Sequence, residues 1–238
     1  MDLRIKAFQI YYDESQKGSL MDGFIPYFNE KANVNLESGI ICDLVNRGEC
    51  SNCDWFGVFS WKHGTPKKKK IIGLNFKRLH ECTTNGNGVD IIAPLPRNYR
   101  SRSIRRVHYP RRQMNWAWEG EGEKFWNAFD LLIKKLGISD DKVLQDRIYG
   151  IYQNAFIARP QIYQDFVNSL LKPAIEKCHT DAQLSELVTS EFSSGYAKPP
   201  QKFINDTGFE YYPMIPFILE RLINVYIELN NTKVAWKL

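Results

Sequence analysis

Three short apolar and aromatic runs, at residues 3–12, 54–61 and 89–93, constrain the fold more than any other feature of the sequence. Runs of this kind are typical of strands buried on both faces, as in a parallel sheet. Polar loop residues follow each run; we interpret residues 26–35 as loop and residues 40–45 as a short helix. The first half of the chain therefore predicts a mainly parallel sheet.

Apolar residues recur at helical spacing through the second half. The spacing predicts helices over 124–136 and 215–229, and a short strand is predicted within 151–158. A further helix follows Pro160, and Pro173 is expected to kink or split it. Residues 193–206 are polar and predict a long surface loop. Strands alternating with helices predict an α/β fold with a central sheet flanked by helices.

Composition is that of a globular protein. The 238 residues are 43% hydrophobic and 25% charged, which excludes disorder, and the length suits one domain over 1–238. The net charge of +5 does not by itself call for a nucleic-acid partner. No apolar stretch reaches the ~20 residues that span a bilayer, and no secretory signal is evident. The five cysteines are too sparse for a disulfide framework, so we expect a cytoplasmic protein.

The densest charge run, residues 97–112, follows the third predicted strand. Arginine pairs with phosphate oxygens in a planar fork, and ligands of open α/β sheets bind beyond the carboxyl ends of strands. The run therefore predicts a phosphate site, for a nucleotide diphosphate, a lipid pyrophosphate or nucleic acid; a solvated basic loop is the alternative interpretation. Its seven arginines are Arg97, Arg100, Arg102, Arg105, Arg106, Arg111 and Arg112.

Polar residues also follow the first two predicted strands. Asp13 could bind a metal, a ribose hydroxyl or a nucleobase, or it could cap the next turn. Lys62 could pair with phosphate or extend into water, and Trp61 beside it offers a flat face for a sugar. These residues are candidates for a site at the strand ends.

A second candidate region joins tryptophans to carboxylates. Trp116 and Trp118 offer stacking faces for a sugar, and Glu119 and Glu121 alternate with glycines that let a ligand approach the backbone. Either carboxylate could act as a general base. The alternative is that acidic residues here favour the macrodipole of the following helix.

Cys50 and Cys53 form a lone C-x-x-C pair. A zinc-bearing interaction domain would need further ligands, for which Cys42 and Cys82 are the candidates. Glycine-rich nucleotide loops, the serine-hydrolase elbow and the zinc-protease motif are absent from the sequence.

The order of several segments resembles that of glycosyltransferase-like proteins from capsular and O-antigen polysaccharide gene clusters. The resemblance implies a single-domain GT-A-like (Rossmann-like) transferase, which would move a sugar from a nucleotide-phosphate donor to a glycan or lipid-linked acceptor. It also implies peripheral association with the inner face of the membrane. The segments are 8–14, 23–27, 54–62, 89–92, 152–159 and 212–222.

The same resemblance implies roles for individual residues. Asp13, Lys62, Asn154, Glu220 and Arg221 fall on matching positions. Asp13 is the candidate catalytic carboxylate, beside Glu119 and Glu121, while Lys62 and Asn154 would contact the donor. Gln9, in the opening segment, is a further candidate donor contact.

GT-A enzymes commonly bind Mn²⁺ or Mg²⁺ through an Asp-x-Asp element, and this sequence has none. Two alternatives stay open. A different acidic arrangement, Asp90 or Glu119 with Glu121, holds a metal, or the arginines of 97–112 neutralise the phosphate charge without one.

A non-enzymatic nucleic-acid-binding module is the alternative function. It would use the arginine run for phosphates and Tyr99, Tyr109, Trp116 and Trp118 for base stacking. Without the seven arginines, however, 25 basic residues face 27 acidic ones, so no specific nucleic-acid partner is expected.

Overall fold

A six-stranded sheet organises the chain. The computed structural model describes residues 3–67, 74–86, 88–93, 108–110, 122–138, 147–149, 151, 154–192 and 198–236. The strands are β1 (Ile5–Tyr11), β2 (Ile25–Phe28), β3 (Trp55–Ser60), β4 (Ile91–Ala93), β5 (His108–Pro110), β6 (Arg147–Tyr149), β7 (Ile157–Ala158) and β8 (Val234–Trp236). The sheet has the order β2-β1-β3-β7-β4-β8, and β5 pairs with β6 in a separate antiparallel ribbon.

All pairings in the large sheet are parallel except those of β7, which runs antiparallel to both β3 and β4. The predicted α/β class with a mainly parallel sheet is therefore confirmed. Helices and two short 3-10 turns flank the sheet. The helices are α1 (Glu37–Asn46), α2 (Phe76–Thr84), α3 (Gly122–Lys135), α4 (Pro160–Phe166), α5 (Lys172–Thr180), α6 (Ala182–Thr189), α7 (Gln201–Thr207), α8 (Ile215–Leu219) and α9 (Leu222–Asn230); the 3-10 turns are Glu14–Ser19 and Trp61–Gly64.

Hydrophobic side chains cover both faces of the sheet. Phe56 and Val58 of β3 join a large cluster that also contains residues of α1, α3 and α9. Trp55 and Phe59, which alternate with them, join a smaller cluster on the opposite face. Every residue of β3 is buried, as the uninterrupted apolar run predicts.

The carboxyl ends of β1, β3 and β4 lie at one edge of the sheet, which we call the carboxyl edge, because these strands run in the same direction. The antiparallel strand β7 starts at that edge. Ile157, its first residue, faces Gly57 of β3, and Asn154 precedes Ile157 by three residues on the side of the carboxyl edge. The chain therefore leaves the carboxyl edge after Ala93 and is back there at Asn154.

Two segment predictions were wrong, and a third was correct but too long. Residues 26–35 were interpreted as loop, but β2 includes Pro26, which an edge strand tolerates because one side of it forms no ladder bonds. The predicted loop 193–206 contains most of helix α7. The strand predicted within 151–158 is limited to Ile157–Ala158.

The closing helix, predicted as continuous over 215–229, is interrupted between α8 and α9. Glu220 and Arg221 have ψ angles of −14° and −16°, near those of a 3-10 helix. The Arg221 N–H accordingly bonds the carbonyl of Ile218, three residues back, at 3.1 Å. This tighter turn carries two adjacent charged residues into the functional region described below.

The expected interruption near Pro173 is present. A π-helical turn, Val167–Leu171, joins α4 to α5, and Pro173 lies in the first turn of α5. A wider turn accommodates a residue that cannot donate a backbone hydrogen bond. Within the described part of the chain, no helix is both long and apolar enough to cross a membrane.

Candidate active site

Polar and charged side chains from four parts of the chain meet at the carboxyl edge. Tyr12 follows β1, Lys62 lies in the 3-10 turn after β3, and Glu37 begins α1. Glu220 and Arg221 come from the turn between α8 and α9. Glu220 contacts Arg221 and lies within electrostatic reach of Glu37 and Lys62, and Tyr12 lies within electrostatic reach of Glu37; we call these five residues the edge cluster.

Glu220 and Arg221 form an ion pair that is largely withdrawn from solvent. Their side chains are 16% and 10% exposed. Burial raises the pKa of the Glu220 carboxyl, and Glu37 adds to the rise, while Arg221 and Lys62 partly oppose it. A carboxyl group shifted toward neutral pH by burial, with a defined cationic partner, is typical of acid–base sites.

Tyr12 contributes a hydroxyl group to the edge cluster. This oxygen is buried, and no residue in the described part of the chain hydrogen-bonds it. Burial, with smaller contributions from Glu37 and Tyr212, raises the phenol pKa well above its ordinary value. The hydroxyl therefore keeps its proton, and its hydrogen-bonding capacity is not used by the described residues.

Asp13 fills the capping role considered for it from sequence. Its carboxylate accepts the Ser15 N–H at 2.8 Å and caps the 3-10 turn Glu14–Ser19. The hydrogen bonds from Ser15, with a smaller contribution from the charge of Lys202, lower the pKa of Asp13. The group is exposed and stays ionised, so it can also accept hydrogen bonds from ligand hydroxyls.

Gln9 lies inside the sheet with no exposed surface. Its amide nitrogen is 3.4 Å from the carbonyls of Ser19, Ser60 and Trp61, and its amide oxygen accepts the Met21 N–H at 2.7 Å. Gln9 thus joins β1 to both 3-10 turns. In this arrangement it supports the backbone that carries Lys62.

Of the remaining described candidates, Lys62, Trp61 and Asn154 lie at the carboxyl edge of the sheet, and Asp90 lies at the opposite edge, where the strands begin. Lys62 is exposed and Trp61 half-buried beside it, while Asn154 is 5% exposed with a φ of 50°. Asn is one of the few residues that adopt this left-handed conformation readily. Asp90 precedes β4 and lies at the opposite edge, where its carboxylate accepts the Lys233 N–H at 2.9 Å. The structure therefore does not bring Asp90 together with Asp13 and Lys62.

The described residues include no group of three or more histidine, cysteine or carboxylate side chains that could hold a metal ion. Cys42, Cys50 and Cys53 are free thiols buried in the larger core cluster. Burial raises the pKa of Cys42 to about 12 and that of Cys53 to about 11. The C-x-x-C pair thus packs in the core, and the zinc-domain interpretation finds no support in the described residues.

The other sequence candidates lie outside the described residues. They are Arg97, Arg100, Arg102, Arg105, Arg106, Arg111, Arg112, Trp116, Trp118, Glu119 and Glu121.

Sequence reasoning from the individual residues missed Tyr12 and Glu37. Tyr12 could have been found, since it stands between a predicted strand and Asp13. Glu37 carried no such signal, because an acidic residue at a helix start is usually explained by the helix dipole. The Glu220–Arg221 pair was reached through the resemblance alone.

Comparisons with known proteins bear on the fold. No protein-family model matches the chain, and no curated protein matches its sequence. Among solved structures, the apo structure of the WbbM bifunctional glycosyltransferase is similar, with a TM-score of 0.50 and 14% sequence identity. The chain has a glycosyltransferase-like fold. The match covers 98% of this chain and 44% of WbbM, so the chain spans less than half of that protein's length.

Proposed function

We propose that this chain is a glycosyltransferase acting in surface polysaccharide biosynthesis. It would move a sugar from a nucleotide-phosphate donor to a glycan or lipid-linked acceptor at the cytoplasmic face of the membrane. The observation that carries the proposal is the largely buried Glu220 carboxyl, with its raised pKa and its Arg221 partner, at the carboxyl edge of the sheet. The similarity to a glycosyltransferase fold supports it.

Glu220 serves as the general base in this mechanism. Its carboxylate takes the proton of the acceptor hydroxyl as the acceptor oxygen bonds to the anomeric carbon of the donor sugar. The bond from that carbon to the phosphate oxygen breaks, and its electron pair leaves with the phosphate. A positioned base of this kind contributes about 10²–10⁴-fold to a rate.

Arg221 links proton transfer to the departure of the phosphate. While Glu220 is ionised, it holds the Arg221 guanidinium in an ion pair. Once Glu220 is protonated, that attraction weakens, and the guanidinium charge can act on the leaving phosphate. Lys62 lies within electrostatic reach of the same carboxylate and adds a second positive charge.

The other candidates take supporting roles in the proposal. Asn154 contacts the donor at the carboxyl edge, and ionised Asp13 accepts hydrogen bonds from sugar or ribose hydroxyls. The arginines of 97–112 bind the diphosphate, and Trp61, Trp116 and Trp118 stack on sugar rings. Glu119 and Glu121 remain the alternative candidates for the catalytic carboxylate. The described residues include no cluster of three or more metal-binding side chains, and no step is assigned to Mn²⁺ or Mg²⁺.

Thermal shift with nucleoside mono- and diphosphates, with and without Mn²⁺, tests the donor half of the proposal. A ligand at 100 times its dissociation constant stabilises the folded state by about 2.7 kcal/mol. We expect one nucleotide to raise the melting temperature by several degrees. Lys62→Ala should reduce the rise, while Lys134→Ala, an exposed residue of α3, should not.

Absence of a shift with every nucleotide would contradict the proposal. Salt-sensitive binding of a single-stranded oligonucleotide, without any nucleotide effect, would instead favour the nucleic-acid-binding alternative.

A further inference from the structure

Phe28 is an exposed aromatic residue at the carboxyl edge of the sheet. It is the last residue of the edge strand β2 and is 44% exposed. Phe8 of β1 and Phe56 and Phe59 of β3 are at most 6% exposed. One apolar face of the Phe28 ring therefore stays in contact with water in the folded protein.

The ring of Phe28 is held in place from one side. Its centroid lies 5.1 Å from that of Tyr11, its register partner on β1, and the Asn29 N–H bonds the Tyr11 carbonyl at 2.8 Å. Tyr11 is itself buried, and the Lys17 ammonium lies 5.9 Å from its ring centroid. A ring supported in this way loses little conformational freedom when a ligand covers its open face.

Charged residues follow the ends of the two strands that carry Phe28 and Tyr11. Glu30 and Lys31, which are exposed, follow β2 closely, and Asp13 and Glu14 follow Tyr11. A pyranose ring has the matching pattern, with a face of C–H groups and a rim of hydroxyls. An aromatic ring packs against the C–H face, while charged side chains bond the hydroxyls.

We propose that the open face of Phe28 is the platform on which a pyranose ring of the acceptor glycan lies. The inference rests on the proposed function, because it supplies the acceptor subsite of that reaction. The platform follows β1 and β2 at the carboxyl edge, where Asp13 and Tyr12 also lie.

A protein partner or a membrane surface fits the observations less well. Protein interfaces bury about 800 Å² on each partner, and functional apolar patches commonly reach several hundred Å². Ile25, the other exposed large hydrophobic residue of β2, is three positions from Phe28 and therefore lies on the opposite face of the strand. One ring among charges suits a small, amphipathic ligand.

Saturation-transfer NMR with methyl glucopyranoside, galactopyranoside and mannopyranoside tests the platform without requiring transfer activity. At least one pyranoside should show saturation of its ring C–H protons with the wild-type protein. Phe28→Ala should weaken this binding about tenfold, whereas Phe28→Tyr should retain it. Leu229→Ala is the matched control, since Leu229 is a similarly exposed apolar residue, on α9, at 37% exposure.

Equal signals from wild-type protein and Phe28→Ala, or no signal with any of the three pyranosides, would overturn the inference. Melting temperatures of the variants should match that of the wild type, which separates lost binding from lost folding. A failed nucleotide shift would count against the proposed function itself. A retained nucleotide shift together with unchanged pyranoside signals in Phe28→Ala would refute only the role proposed for Phe28.

Discussion

Asn224 and Ile151 exchange two hydrogen bonds. The side-chain amide of Asn224 donates to the Ile151 carbonyl and accepts from the Ile151 N–H, both at 3.0 Å, and it also donates to the Arg221 carbonyl at 3.2 Å. Asn224 is fully buried. One side chain thus ties the chain returning from β6 to the turn that carries Glu220 and Arg221.

Replacing this amide should cost stability. Asn224→Leu leaves the Ile151 N–H and carbonyl buried without their partner, so we expect the free energy of unfolding to fall by about 3 kcal/mol. Urea denaturation measures the loss. Asn230→Ala, at an exposed residue near the end of the same helix, should change stability by less than about 0.5 kcal/mol. Similar losses in both variants would show that the hydrogen bonds between Asn224 and Ile151 contribute little to stability.

Glu220 should govern the acidic limb of the pH–rate profile. Its pKa is raised, so the carboxylate forms only at a pH above that of an ordinary Glu, and transfer should rise with pH through that region. Glu220→Gln should lower kcat by about 10²-fold or more and remove this limb. Steady-state kinetics across pH measures both effects.

The pH dependence of folding stability should also reflect Glu220, and the raised pKa fixes its direction. A raised pKa means that the folded protein holds this proton more tightly than the unfolded chain does. Wild-type stability should therefore fall, relative to Glu220→Gln, as pH rises from the ordinary Glu value through the raised one. Glu186→Gln, on the exposed surface of α6, should change neither the pH–rate profile nor this trend. An unchanged acidic limb in Glu220→Gln would refute the assignment of the base.

The close approach of the two 3-10 turns should make Gly64 intolerant of a side chain. A Cβ atom there would lie 1.6 Å from the Ser19 carbonyl oxygen. Gly64→Ala should destabilise the protein by about 2 kcal/mol or more and lower activity by displacing Lys62. Gly18→Ala is the matched control, because its Cβ would meet nothing within 4 Å. Thermal unfolding of the pair measures the difference, and equal melting temperatures would count against the tight contact.

The buried amide of Gln9 should matter for folding more than for ligand contact. Gln9→Leu removes the acceptor of the Met21 N–H and the donor shared by three carbonyls, so we expect a loss of about 2 kcal/mol. Nucleotide affinity, measured by titration of the folded variant, should change less than in Lys62→Ala. An unaltered stability with lost nucleotide binding would assign Gln9 to the donor site instead.

Strands with continuous apolar runs could be predicted from the sequence, since burial on both faces leaves a strong local signal. Strand β3 was expected over 54–61 and is found at Trp55–Ser60. Strand β2 could not, because it is short, contains Pro26 and faces water on most of its residues. The break at Glu220 also left no signal, since the apolar stripe continues through it and only the backbone tightens.

The candidate site was predictable where a polar residue directly follows a strand. Asp13 and Lys62 were found in this way, and both lie at the carboxyl edge. Glu37 reaches the same region from the start of a helix. It lies within electrostatic reach of Glu220, from which it is far apart in the sequence. Which distant residues come close together depends on strand order, which local sequence patterns do not encode.

The antiparallel direction of β7 has a consequence for how this scaffold can diversify. Since the chain leaves after Ala93 and returns through an antiparallel strand, residues can be inserted between β4 and β7 without rethreading any strand, as long as the buried face of α3 stays in the core. Evolution could thus alter the ligand preferences of such a scaffold through insertions that leave its sheet and core unchanged.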